Sequence, residues 1–135
     1  MRARKAQTSI EYLVVVGMVL LASVPLFYYA VREFSATSAL TSVNDAANAL
    51  TNAADDVSLA GAGARRLVWI TLPGGVTNTS VGGRHVSISF NVRGKETEIH
   101  TLASANLSGA IPAEQGTFRM AVEALESGGV LINAT

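Results

Sequence analysis

The spacing of apolar and polar positions changes once along this chain, near residue 61, and divides it into a helical part and a strand-bearing part. From Tyr12 to Val31 twenty consecutive residues carry no formal charge. Twenty residues of helix rise about 30 Å, the thickness of a bilayer's hydrocarbon core, so the pattern predicts a membrane-length helix over residues 7–34. Tyr12 stands near one end of that segment, and Phe27, Tyr28, Tyr29 and Phe34 stand near the other. Interfacial aromatic belts have this distribution, and plain helix packing accounts for it as well. Pro25 removes one backbone hydrogen bond within the span and predicts a kink or a local loosening.

Residues 35–59 contain neither Gly nor Pro, so the helix is expected to continue as an amphipathic segment over 35–60. Ala36, Leu40, Val43, Ala47, Leu50, Ala54 and Val57 follow spacings of four and three, a heptad-like stripe. Asn44, Asn48 and Asn52 recur at i, i+4 and i+8 and make another side polar. The inner half of the stripe suits neighbouring helices and its outer half suits the underside of a sheet. A solitary helix covering its own domain explains the outer half equally well.

Gly61-Ala62-Gly63 ends the helical pattern, and the remainder reads at period two. Leu67 to Leu72 is a short apolar run; Pro73-Gly74-Gly75 and Gly82-Gly83 then punctuate a connection. Val86, Ile88, Phe90 and Val92 alternate with Ser87, Ser89, Asn91 and Arg93, the clearest strand in the chain. Gly94-Lys95 turns it into a partner strand from Glu96 to Leu102. Phe118, Met120, Val122 and Ala124 suggest a fourth strand, favoured over a short helix by the turn at Ser127-Gly128-Gly129, with a fifth at Val130–Asn133. The expected fold is α+β: a long N-terminal hydrophobic helix and, over 61–135, a small antiparallel sheet of four to five strands.

Arg2, Arg4 and Lys5 precede the apolar run with no acid among them, and the positive-inside bias then holds the N-terminus in the cytoplasm. A secretory signal would be cut after a shorter apolar run, behind small residues, whereas here the well-placed small residue is Ala6, before the run. The stretch Arg4-Lys5-Ala6-Gln7-Thr8-Ser9-Ile10-Glu11-Tyr12 resembles the class III prepilin signal of archaeal type IV pilins, a basic and small leader followed by Q-x-S-x-E. The resemblance covers about residues 4–31. It implies that a prepilin peptidase cuts between Ala6 and Gln7, removes a basic leader of residues 1–6, and makes Glu11 the fifth residue of the mature chain. Cleavage would free an α-amino group at Gln7, mostly charged at neutral pH, one helical turn from Glu11. In a low-dielectric bundle the Glu11 carboxylate of one copy then pairs with the Gln7 ammonium of another, a register device for polymerisation. The plainer reading of Glu11 is an interfacial carboxylate solvated by headgroups.

The formal charge is zero over 135 residues, but without Arg2, Arg4 and Lys5 seven basic and ten acidic side chains remain. Such a balance offers no footprint for nucleic acid. The absence of cysteine excludes a disulfide framework and a thiolate zinc site. Catalytic equipment is sparse. His85 and His100 are the only histidines, on adjacent expected strands, where Glu96 or Glu98 would have to complete a metal site; solvated sheet positions are the simpler reading, and neither metal nor cofactor is expected. Asp55-Asp56 reads as a helix-end pair, because paired carboxylates need enclosure to shift their pKa values. Gly61-Ala62-Gly63 and Gly74-Gly75 lack the Lys-Ser or Lys-Thr of a phosphate loop. Asn78-Thr79-Ser80, Asn106-Leu107-Ser108 and Asn133-Ala134-Thr135 are N-glycosylation acceptors expected at loops or strand ends.

These readings converge on a structural pilin subunit rather than an enzyme. The resemblance implies a helical homopolymer for surface attachment, with a prepilin peptidase, an assembly ATPase and a membrane platform protein as partners. It places the chain in the membrane before assembly and in an extracellular filament afterwards. A minor pilin that primes or tips another filament carries the same signals. An anchored extracellular binding domain that does not polymerise is the alternative from a different class.

Overall fold

The computed structural model describes residues 2–135. Met1, the first residue of the expected leader, and the side chain of Arg2 lie outside what is described. Helix α1 runs Arg2–Ala60, 59 residues, and contributes to two compact units, one ending at Ser35 and one from Ala36 to Thr135. Pro25 does not break it: the cost is the single N–H that the Leu21 carbonyl would have accepted, while the nearby Ser23 hydroxyl donates to the Val19 carbonyl at 2.8 Å. At the other end Gly61 adopts φ 97° and donates its N–H to the Val57 carbonyl at 3.2 Å, a left-handed cap that satisfies a terminal carbonyl.

Five strands follow: β1 (Arg65–Leu72), β2 (Val76–Val92), β3 (Lys95–Gly109), β4 (Gly116–Ala124) and β5 (Val130–Ala134). All five expected strands are present, and residues 118–124 are strand, not helix. The sheet order is β1-β4-β5-β3-β2. Three pairings are antiparallel, but Leu107–Gly109 of β3 runs parallel to Val130–Ile132 of β5. The sheet is therefore mixed, which corrects the all-antiparallel expectation. The reason is long-range: β4 pairs with β1 at the far edge, and β5, returning antiparallel to β4, fills the gap beside β3 in the same direction as β3.

The connection expected around Gly82-Gly83 is instead part of β2. Extended, the sixteen steps from Gly75 to Asn91 would span roughly 50 Å, yet the Asn91 N–H donates to the Gly75 carbonyl at 2.8 Å and the Thr77 hydroxyl to the Ser89 carbonyl at 3.2 Å. β2 thus doubles back on itself about its glycine pair. The next reversal is a two-residue hairpin: Val92 pairs with Lys95, and Arg93 and Gly94 both take positive φ, 57° and 76°, the geometry that matches strand twist.

One core fills the C-terminal unit. Val86, Ile88 and Phe90 of β2 are buried with Ala103, Ala105 and Leu107 of β3, Met120 and Val122 of β4, and Val130 and Ile132 of β5, under Val43, Ala47, Leu50, Ala54 and Val57 of α1. The outer half of the expected stripe is therefore the lid of this core, joined by Ala46 and Ala53, while Asn44, Asn48 and Asn52 are exposed as expected. Ser87 and Ser89, expected to face solvent, are buried. Their cross-strand partners are His100 and Glu98, whose longer side chains stand beside the short hydroxyls.

Two substitutions probe this packing. Phe90→Ala removes the largest fully buried side chain and is expected to cost about 3–5 kcal/mol in denaturant unfolding followed by far-UV circular dichroism. Gly109 has φ 116°, and a Cβ there would lie 1.9 Å from the Ile132 carbonyl oxygen. Gly109→Ala should therefore release the β3–β5 pairing, seen as lost amide-exchange protection at Ile132, whereas Gly94→Ala, with open space around it, should leave that amide protected.

Candidate functional site

A stretch of α1 in the N-terminal unit has the composition of a protein interior and none of its burial. Ile10, Leu13, Val14, Val15, Met18, Val19, Leu20, Leu21, Val24, Leu26 and Val31 are each more than half exposed, and nothing in the apolar window is covered within the chain. By length and composition this helix is able to cross a membrane. Burying each large apolar side chain is worth about 1.5–3 kcal/mol, so a surface of this size calls for lipid or for other helices.

The residues of the expected signal motif lie at the start of the same helix. Arg4, Lys5, Ala6, Gln7, Ser9 and Glu11 are all helical and exposed, and the Thr8 hydroxyl donates to the Arg4 carbonyl at 3.0 Å. The Ala6–Gln7 bond is thus held in a helical turn close to a helix end, where fraying exposes backbone at low cost. Gln7 and Glu11 lie one turn apart on one face, about 6 Å along the axis. Among the described residues the Glu11 carboxylate has no hydrogen-bond or ion-pair partner. Toward the end of the apolar stretch, Phe27, Tyr28, Tyr29 and Phe34 are exposed, and the Arg32 guanidinium lies 5.5 Å from the Tyr28 ring centroid, a cation–π contact at helical i, i+4 spacing.

No family model matches this chain, and neither a curated protein nor a solved structure matches it.

The other candidate residues divide by location. The His85 and His100 rings are edge-to-face at 6.4 Å, with His100 Nε2 3.4 Å from Glu98. Glu96 instead accepts from the Thr77 hydroxyl, and among the described residues no set of three His, Asp or Glu side chains is placed to hold a metal. The Asp55-Asp56 pair is divided between two partners: Asp55 accepts the Ser104 backbone N–H at 2.7 Å, and Asp56 is ion-paired with Arg66. Both tie the end of α1 to the sheet. Asn78, Asn106 and Asn133 are all exposed and lie near the ends of β2, β3 and β5.

Sequence reasoning passed over one feature, a groove of about 310 Å³ lined by Ser42, Asp45, Ala46 and Ala49 of α1 and by Trp69, Ile70 and Thr71 of β1. Its only sequence signal is Trp69, a large aromatic at an outward-facing position of a strand.

The exposed apolar helix makes a prediction of its own. Leu20→Arg at mid-span should weaken membrane insertion by about 2.5–3.5 kcal/mol, read as the inserted fraction in a microsomal assay. Leu59→Arg, at a position 88% exposed at the far end of α1, should leave that fraction unchanged.

Proposed function

We propose that this chain is a structural subunit of a type IV pilus-like surface filament. It is made with its N-terminus in the cytoplasm, cut between Ala6 and Gln7, and polymerised through α1. The observation that carries the reading is the fully exposed apolar helix with Glu11 at its mouth. Lipid satisfies the apolar surface but not the carboxylate, whose cost rises with depth in the bilayer. A bundle of identical helices satisfies both: apolar side chains pack on one another, and the Gln7 ammonium of one copy neutralises the Glu11 carboxylate of a neighbour. The prepilin peptidase, the assembly ATPase and the platform protein act in trans, so the subunit itself has no catalytic task. The C-terminal unit forms the outer surface used for attachment, with Asn78, Asn106 and Asn133 accessible for glycosylation.

An anchored, non-polymerising binding protein is the second reading, and the groove beside Trp69 favours it. Mass spectrometry of the terminal peptide from surface and membrane fractions tests the processing step. A terminus at Gln7 with the apolar segment retained is expected, and an intact leader rules the pilin reading out. Glu11→Gln should abolish filaments seen by electron microscopy while the membrane-bound precursor stays abundant; normal filaments from that variant would remove the register role.

A further inference from the structure

We infer that β1 docks a second copy of this chain, β1 pairing antiparallel with β1, and that Arg66 of the second copy enters the groove between α1 and β1. β1 stands at one end of the sheet and keeps an unbroken register on β4 over eight residue pairs. Among the described residues no other backbone bonds to it, so the N–H and C=O groups that alternate away from β4 are open along its length. From Leu67 to Leu72 it has neither proline, bulge nor charge, the devices that blunt an edge. The opposite edge has such devices. β2 contains Gly82-Gly83, shifts register between Gly83 and His85, and is tied through the Thr79 hydroxyl to the Ile111 carbonyl at 2.6 Å. The strand of this chain with matching open groups is therefore β1 itself.

Alternation and charge select the register. Leu67 and Trp69 lie on the sheet face away from α1, 50% and 66% exposed, in line with Ala121 and Arg119. Arg66 lies on the α1 face, where it pairs with Asp56. Directly opposed residues share a face, so Arg66 of the second copy must meet a residue that also faces α1. Opposite Ile70, it brings Leu67 against Trp69 and Arg65 against Thr71, each contact made twice by symmetry. Ile70 lines the groove of about 310 Å³ together with Ser42, Asp45, Ala46 and Ala49. The alanines suit the aliphatic stem of an arginine, and the Asp45 carboxylate suits its guanidinium. Asp45 is exposed and, among the described residues, has no partner in the chain. Leaving Asp56 costs Arg66 little, because both side chains of that pair are more than half exposed. The next register that keeps the faces, Trp69 opposite Trp69, carries the guanidinium past Ile70 and leaves Asp45 unmatched. The two-fold axis of the chosen pairing stands perpendicular to the sheet, so the Val43–Val57 stretches of the two copies run in opposite directions. The contact joins copies that face one another and closes at two. It goes beyond polymerisation through α1 and does not rest on it.

The chain has no cysteine, so single cysteines report the register. Full chains carrying Arg65→Cys and Thr71→Cys, both exposed positions, are mixed in detergent micelles, oxidised and weighed by intact-protein mass spectrometry. Opposed residues bring their Cα atoms to about 4.5–5.5 Å, within disulfide reach, whereas like positions of the two copies lie about 20 Å apart. The mixed dimer is therefore expected at least about tenfold above either homodimer, and as far above the product of Arg65→Cys with Leu102→Cys, 80% exposed on β3. Asp45→Arg in both chains sets like charges in the groove and should cut the mixed dimer about tenfold or more. Adding Arg66→Asp should restore it, and thermal unfolding checks that each variant is folded. Homodimers as abundant as the mixed dimer, which association through α1 would give, overturn the assignment. So does a yield untouched by Asp45→Arg, or no recovery in the folded charge-swapped chain.

Discussion

The inner face of the sheet depends on the stripe from Val43 to Val57 for its cover. Val86, Ile88, Phe90, Met120, Val122, Val130 and Ile132 have no accessible surface, and they owe this to a helix that precedes every strand in the sequence. A sheet with one apolar face is stable only when another layer covers it. The alanines in the stripe keep the helix close to the sheet, while Leu50, fully buried, fills space between strands that alanine could not reach. Polar ties at the end of the stripe, Asp55 to the Ser104 amide and Asp56 to Arg66, hold the helix in register over β3 and β1.

The same continuous helix carries a second, opposite chemistry. Between Ile10 and Phe34 none of its apolar residues is buried and nearly all are exposed, whereas from Val43 onward it is polar on one side and buried on the other. A helix apolar all round needs an apolar environment on every side, and a helix with one stripe needs it on one side only. Lipid or a bundle of like helices meets the first requirement and a single sheet meets the second. That contrast underlies the proposal that α1 serves as anchor and assembly element at one end and as a structural layer at the other.

The candidate sites were unequally legible. Gln7, Ser9 and Glu11 are adjacent in sequence and need only a helix to be brought onto their surface, so linear reading reached them. The histidine pair was also visible, as two residues on adjacent expected strands, and the fold does bring the rings together. The groove at Trp69 was not visible, because Ser42 and Asp45 meet β1 only after the helix has folded over the sheet. The sequons, expected at loops or strand ends, lie near the ends of β2, β3 and β5, because β2 and β3 extend well beyond their alternating cores.

Local sequence by itself determined the membrane-length helix, the amphipathic stripe, the five strands and a tight turn at Gly94, expected at Gly94-Lys95 and found one residue earlier at Arg93-Gly94. Each rests on contacts or periodicities spanning a few residues, which a linear pattern records. The tertiary structure alone decided that β5 lies parallel to β3, that β2 doubles back about Gly82-Gly83, that Ser87 and Ser89 are buried, and that Asp45 and Trp69 share a groove. Those outcomes depend on which strand edges remain unpaired once β1 has taken β4, and on where the helix settles over the sheet. Both are set by packing between residues far apart in the chain, where apolar burial is non-directional and no local spacing encodes the partner.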